Sequence, residues 1–218
     1  MTVTSPDLLE TASADEVLAY AVERFHPRLK LACSFQKEES VMIHMLSTIQ
    51  PDARVFMIDT GVLFPQTLET WKRFEERFGI SVEVLEARSP DEPWTLARCC
   101  GEAKVDALER ALDGVEAWIS GIRREQAPTR KGLGNQEWDA DNGLTKFNPL
   151  IDWTVDDVWA YIRHYGVPYN PLHDQFFPSI GCAPCTRAVA VGEDIRAGRW
   201  WWENPETKEC GLHIKKTA

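Results

Sequence analysis

The chain has 218 residues, 44% of them hydrophobic and 27% charged, with a formal net charge of −10. That length supports one domain with a substantial core, and no apolar run approaches the ~20 residues of a membrane span. The acid excess disfavours a general nucleic-acid binder, whose footprint would be basic, so an anionic substrate must be drawn by a local basic cluster.

The N-terminus, MTVTSPDLLETASADE, is acidic and lacks a basic-then-apolar signal pattern, and a cytoplasmic protein is expected. The segment from Ser5 to Phe25 reads as helical, with Ser5-Pro6 and Ser13 as start signals and Val17, Leu18, Ala21, Val22 and Phe25 on one face. LKLACSF (29–35) fits a buried strand, KEESVMIHMLSTI a helix, ARVFMIDTG a second strand ending in a turn. PQTLETWKRFEERFG reads as a helix opened by Pro65 and stopped by Gly79, and ISVEVLEA as a third strand. Helical segments around CCGEAKVDALERAL precede a fourth strand, EAWISG (116–121). IRREQAPTRKGLGNQEWDADNG is polar, glycine-containing and long enough to be functional or mobile; KFNPL reads as a short strand. TVDDVWAYIRHYG is a helix with Thr154 as N-cap, acidic residues in its first turn and Gly166 as stop.

This β-α-β-α-β rhythm predicts an α/β fold: a parallel sheet with helices on both faces, in one domain spanning 1–218. Residues 182–218 are expected to form a C-terminal helical and tail segment, too short for its own core. Ligands of such folds bind at the carboxyl ends of the strands. CSFQKEES, IDTG and GIRREQ follow the first, second and fourth strands.

Six cysteines are present. Paired spacings in a chain of this kind point to metal or redox chemistry rather than structural disulfides. Cys99-Cys100 and Cys182-x-x-Cys185 supply four thiolates. Adjacent side chains diverge, which suits the separate irons of a cubane better than a single zinc ion, although zinc, a vicinal disulfide or a buried free pair are alternatives at this point. Cys33, within an apolar run, reads as an inert core residue. Cys210 lies close to Lys208, His213, Lys215 and Lys216, which favour the thiolate, while Glu209 opposes it; the bland reading is an incidental tail thiol.

Arg123-Arg124, Arg130-Lys131, Arg187, Arg196 and Arg199 offer forked anion binding, and Lys104 falls one helical turn after the cysteine pair. Any one of them alone is an ordinary surface charge. Asp59-Thr60-Gly61 fits a nucleotide-accepting turn and equally an ordinary one. In RWWWE (199–203), at least two of Trp200, Trp201 and Trp202 are expected to pack on the main domain.

Together, CSFQKEES, IDTGVLFPQT, CCGEAK, GIRREQ, FNPLIDW, YNPLHDQFFPSIGCAPCTR and KECGLH resemble the thioredoxin-dependent adenylyl-sulfate (APS) reductases of the phosphoadenylyl-sulfate (PAPS) reductase family. The motifs run in family order from about residue 30 to 213. The resemblance implies an adenine nucleotide α-hydrolase-like fold and a [4Fe-4S] cluster on Cys99, Cys100, Cys182 and Cys185. It makes Cys210 the nucleophile and assigns Lys104, Arg196, Arg199 and His213 to the sulfate end of the substrate. The phosphate-facing loop then includes Ser34, Phe35 and Gln36, the nucleotide turn Asp59, Thr60 and Gly61, and the arginine loop Gly121, Arg123 and Arg124. One departure is that SFQKEES has no glycine where related loops often carry one.

The activity implied is reduction of APS to sulfite and AMP in sulfate assimilation, through a Cys S-sulfonate. Thioredoxin or a similar dithiol protein would be a separate partner, with no nucleic acid or membrane partner and with homo-oligomer formation left open. PAPS or dual use is the nearest alternative. A tRNA-thiolating enzyme and a non-catalytic, metal-stabilised nucleotide-binding module are the rivals from other classes.

Overall fold

The structure is a computed structural model that describes residues 9–88, 95 and 102–204. Its first long helix, α1 (Ala14–Phe25), starts at Ser13. The Glu16 amide donates to Ser13 Oγ at 3.4 Å and the Ser13 amide donates to Glu16 Oε2 at 2.7 Å, a reciprocal cap read from S-x-x-E. Ser5-Pro6 lies outside the described residues. The order continues with β1 (Leu29–Ala32), α2 (Lys37–Ile49), β2 (Arg54–Asp59), α3 (Pro65–Phe78) and β3 (Val82–Glu86). Then come α4 (Glu102–Ala111), β4 (Ala117–Ile119), β5 (Gln136–Asp139), β6 (Leu144–Phe147) and α5 (Val155–Tyr165). Both α3 and α5 end where glycine takes a left-handed conformation, Gly79 at φ 65° and Gly166 at φ 58°.

The six strands form one sheet in the order β3-β2-β1-β4-β6-β5, parallel except for the β5–β6 pair. Strand period 2 divides the core. Leu29 and Leu31 of β1, Val55 and Met57 of β2, Ala117 and Ile119 of β4, and Phe147 of β6 face the layer that holds α1, α2, α3 and α5. Ala32, Phe56, Ile58, Trp118 and Leu144 face the opposite side, where Leu108, Ala111 and Leu112 at the end of α4 cover them. Helices therefore lie on both faces, as the alternating pattern predicts. Lys30 also points to the α4 side and is buried. Its ammonium donates to the Ala111 carbonyl at 2.6 Å and sits 2.8 Å from Glu83 of β3, so the cation caps the carboxyl end of α4.

Two expectations change. The polar stretch after β4 contains short 3-10 turns and then the antiparallel edge strand β5, which pairs Trp138 with Thr145. Its polarity hid it: β5 is an edge strand, and Trp138 stands exposed. The C-terminal segment was expected to be helical. Its described part, 182–204, contains a 3-10 turn at Ala183–Cys185 and further turns but no α-helix. Pro184 interrupts amide donation there, and at Gly198 the chain approaches the Arg187 carbonyl so closely that no Cβ would fit. The segment is fastened to the domain where the Ala183 amide donates to the Val62 carbonyl at 2.8 Å and where Leu63 bridges Cys182. Among the described residues, no helix is long and apolar enough to cross a membrane.

Candidate functional site

The sheet order reverses direction between β1 and β4, so their carboxyl ends diverge and leave a crevice. A cavity of ≈ 160 Å³ lies there, lined from the ends of β1, β2 and β4, the start of α2, Lys104 of α4, and residues 179–182 and 196–200.

Its floor begins at Cys33, where β1 hands over to α2. The loop has no glycine, and Phe35 supplies the left-handed residue instead, with φ 54°. That conformation costs a non-glycine residue about 1–2 kcal/mol. Complete burial of the Phe35 ring, 6.0 Å from the Phe74 ring, opposes that cost. The turn leaves Ser34 and Gln36 on the cavity, while Phe35 itself belongs to the core. Gln36 ties the loop to the opposite wall, because its Oε1 accepts from the Ile180 amide at 2.8 Å.

Two acidic residues follow, both buried. Glu38 Oε1 accepts from Arg123 Nε at 3.0 Å and Gln126 Nε2 at 3.1 Å, with Lys37 Nζ 3.4 Å away. Burial opposes its ionisation, but Lys37 and then Arg123 outweigh burial and bring its pKa down to about 2. His173 packs behind Lys37: Nε2 accepts from the Lys37 amide at 3.2 Å, which leaves Nδ1 as the donor to the Phe177 carbonyl at 2.8 Å. Burial and the Lys37 cation lower this imidazole to about 4, so it is neutral at pH 7. Among the described residues, Glu39 is paired with no cation. Its Oε2 accepts from Ser34 Oγ at 3.1 Å and the Gln36 amide at 3.2 Å, and burial, followed by repulsion from Glu38, raises its pKa to about 7.

Gly121, two residues past the end of β4, lies against that carboxylate; a methyl group here would overlap Glu39 Oε1. Its glycine leaves room for an acid. Arg123, two residues on, is completely buried and turned away from the cavity lining, bound to Glu38 and to Glu125 Oε2 at 2.9 Å. Arg124 pairs with Asp152 and donates to the Leu133 carbonyl at 2.7 Å, also away from the lining. Gln126 and Arg130 of the same loop do line it and bond to each other.

After β2, Asp59 Oδ1 accepts from the Gly61 amide at 2.7 Å, and Gly61 adopts φ 68°. This turn sits just beyond the lining. Its buried Thr60 hydroxyl lies 3.1 Å from Cys182 Sγ. Cys182 lines the cavity, Cys185 is buried behind it on the same turn, and neither forms a disulfide. Two buried cysteine sulfurs on one turn, one of them beside the Thr60 hydroxyl, fit half of a thiolate ligand set. Cys99 and Cys100 lie outside the described residues, as do Cys210 and His213. Among the described residues, no three metal-ligating side chains converge.

The cationic wall centres on Trp200, whose ring is buried under two guanidiniums, Arg199 at 4.3 Å and Arg196 at 5.9 Å. Arg199 also donates to Ser179 Oγ at 3.2 Å and the Ile180 carbonyl at 3.0 Å, over Gly181, where a Cβ would strike the guanidinium. Only Trp200 of the tryptophan run is buried. Trp201 and Trp202 meet edge to face at 4.6 Å and are exposed by 47% and 43%, so the expected packing of two tryptophans is corrected to one.

The cavity thus gathers Ser34, Gln36, Lys104, Gly121, Cys182, Arg196 and Arg199. It does not gather Phe35, Asp59, Thr60, Gly61, Arg123 or Arg124 into its lining. The phosphate-facing loop expected from the sequence runs from Ser34 to Glu39, but it gave Glu38 and Glu39 no role of their own. The available signal was two consecutive acids at the start of a helix that follows a buried strand, in a fold whose ligands bind there.

Gly121→Ala is expected to destabilise the protein by about 1–3 kcal/mol through overpacking. Glu39→Ala in the same chain should recover at least half of that loss in a denaturant double-mutant cycle. Additive effects would separate the two positions.

The sequence pattern of the phosphoadenosine phosphosulfate reductase domain matches residues 28–188. An adenosine 5'-phosphosulfate reductase of Allochromatium vinosum is 46% identical over 233 residues, which cover 98% of this chain and 90% of that protein. A phosphoadenosine 5'-phosphosulfate reductase of Gloeobacter violaceus is 42% identical over 224 residues, 94% of this chain and 90% of that one. The crystal structure of a PAPS reductase from Candida auris in a phosphate complex superposes with a TM-score of 0.69 at 26% identity, over 85% of this chain and 98% of that one. The fold is accordingly the adenine nucleotide α-hydrolase-like fold. The chain belongs to the phosphoadenosine phosphosulfate reductase family of enzymes.

Proposed function

We propose that this enzyme reduces adenylyl sulfate to sulfite and AMP in sulfate assimilation, with thioredoxin or a similar dithiol protein as reductant. The observation that carries the proposal is the meeting of Lys104, Arg196 and Arg199 with Cys182 around one cavity at the strand carboxyl ends. The name of the Allochromatium relative supports it.

In this reading the nucleotide phosphate faces Ser34, Gln36 and the amides of the loop between them, and the Asp59–Thr60–Gly61 turn frames the nucleotide from the β2 side. Lys104, Arg196, Arg199 and His213 hold the sulfate. Trp200 keeps both guanidiniums desolvated, which strengthens their pull on a small anion. The Cys210 thiolate attacks the sulfate sulfur. A Cys–S–SO₃⁻ bond forms, the S–O bond to phosphate breaks, and AMP leaves with that electron pair. A thiolate of the reductant then attacks the Cys210 sulfur, and sulfite departs with the S–S electron pair. The second thiol of the reductant resolves the mixed disulfide and regenerates Cys210; the reductant supplies both electrons. Cys99, Cys100, Cys182 and Cys185 would hold a [4Fe-4S] cluster, which when bound would supply a charged, polarisable centre that tunes the electrostatics near the sulfate. Lys104 lines the same cavity as Cys182 and supplies a positive charge to it. Thr60 is the hydroxyl partner of the Cys182 sulfur.

A second reading, use of the 3′-phosphorylated nucleotide, has the name of the Gloeobacter relative in its favour. Arg123 and Arg124 count against it, since both are committed to Glu38, Glu125, Asp152 and a carbonyl. Comparing kcat/KM for the two nucleotides separates the readings.

Anaerobically purified protein is expected to be brown and to carry roughly four irons per chain. Zinc without iron would overturn the cluster assignment. Cys210→Ser should lower sulfite release by at least about 1,000-fold while iron content and AMP binding persist. Sulfite release surviving this change would remove Cys210 from the nucleophile's role.

A further inference from the structure

The cavity floor carries an acid that the proposed chemistry does not use. Glu39 is 8% exposed and lines the cavity. Its two oxygens differ. Oε2 is engaged by Ser34 Oγ and the Gln36 amide. Oε1 lies over the Cα of Gly121, with no hydrogen-bond partner among the described residues. Among the described residues, the charged groups around it are as follows. On its own helix, Glu38 is ionised and bound to Arg123 and Lys37, so it presents Glu39 with like charge and no counterion. Lys37 points to the Pro178 carbonyl at 2.6 Å, and neutral His173 stands behind it. From β1, the buried Cys33 thiol lies nearby, its own ionisation suppressed by burial and by Glu39. Just past β4, the uncharged Gly121 lies against it. The cations Lys104, Arg130, Arg196 and Arg199 line the same cavity, and no ion pair joins any of them to Glu39 among the described residues.

An anionic nucleotide entering this cavity brings negative charge towards a carboxylate that has a lone oxygen on the lining. Either the charges repel or the carboxylate takes a proton. We propose that Glu39 meets the adenine nucleotide as a neutral carboxylic acid, taking one proton from solvent when the ligand enters and donating it from Oε1 to the ligand as a hydrogen bond. Glu39 is then a ligand-binding residue, and capture of the nucleotide is linked to proton uptake. The proposal rests on the adenine-nucleotide reading above and adds the protonation state of the site. A resting value of about 7 places the uptake in the physiological range.

The sign follows from linkage. In the empty protein Glu39 is raised from its ordinary 4.5, so between about pH 4.5 and 7 the folded state holds a proton that the unfolded chain has lost. Stability from this group is therefore present at low pH and lost as pH rises through 7. Ligand affinity follows the same direction, being strongest where Glu39 is already protonated.

The test is calorimetric titration of the full-length, anaerobically purified protein with AMP in two buffers of different ionisation heat. At about pH 8, where the AMP phosphate is itself fully ionised, the wild type should take up about 0.5–1 proton per AMP bound, falling towards zero near pH 5. Glu39→Gln, which keeps the side chain's size, should bind AMP with no more than about 0.2 proton taken up at pH 8. Its thermal stability should exceed wild type by more at pH 8 than at pH 5. Equal proton uptake in the variant, or none in the wild type, overturns the proposal. AMP binding without uptake sinks the role of Glu39 alone, whereas AMP that fails to bind either protein sinks the nucleotide reading with it. Should the variant not fold, the infrared difference spectrum of the wild type decides: a protonated carboxyl band must appear on adding AMP, and its absence overturns the proposal.

Discussion

The Glu38 carboxylate is the point on which the rest of this structure turns. One oxygen accepts from Arg123 and Gln126 and faces Lys37, so the start of α2, the loop after β4 and the 171–182 segment meet at one buried charge. Removing either main partner would leave an uncompensated ion in the interior, typically a loss of about 3–5 kcal/mol. The consequence is geometric. Lys37 reaches across to the Pro178 carbonyl, and Gln36 beside it accepts from Ile180, so the segment that leads into Cys182 is fastened against the floor of the cavity. The same tie brings Arg199 and the cysteine turn over the carboxyl ends of β1 and β2.

Around that centre, charge is sorted by position. The acids lie on the floor, Glu38 compensated and Glu39 not. The cations lie on the wall, with Arg196 and Arg199 spread over Trp200. A chain with a net charge of −10 can thereby present a cationic surface to a small anion without a basic exterior. Two glycines mark where this sorting is tightest: Gly121 under Glu39 and Gly181 under Arg199. Both serve close approach, not an unusual backbone angle.

Local features were legible in the sequence. Caps at Ser13 and Thr154, stops at Gly79 and Gly166, and the apolar runs of β1, β2 and β4 follow from short-range rules, and the parallel α/β sheet followed from their alternation. The edge strand β5 was not legible, because an edge strand needs no apolar alternation and GNQEWDAD reads as loop. The partners of charged residues were less legible still. Arg123 and Glu38 are 85 residues apart, and nothing local distinguishes an arginine that anchors a buried acid from one that meets a substrate. Family resemblance gave the arginine loop one role, whereas geometry gives Arg123 and Arg124 internal partners and leaves Gln126 and Arg130 on the cavity. The missing glycine in SFQKEES has a physical answer: Phe35 takes the left-handed angle, and its ring is buried in the core.

The proposed chemistry depends on transfer of the sulfonate group from the nucleotide phosphate oxygen to the Cys210 sulfur. Its most direct test is peptide mass mapping of the wild-type protein after incubation with adenylyl sulfate and no reductant. One S-sulfonate per chain is expected, on the peptide that contains Cys210, with stoichiometric release of AMP and with sulfite freed only when a dithiol protein is added. AMP release without an adduct, or an adduct on Cys33 or on the cysteine pairs instead, would contradict it.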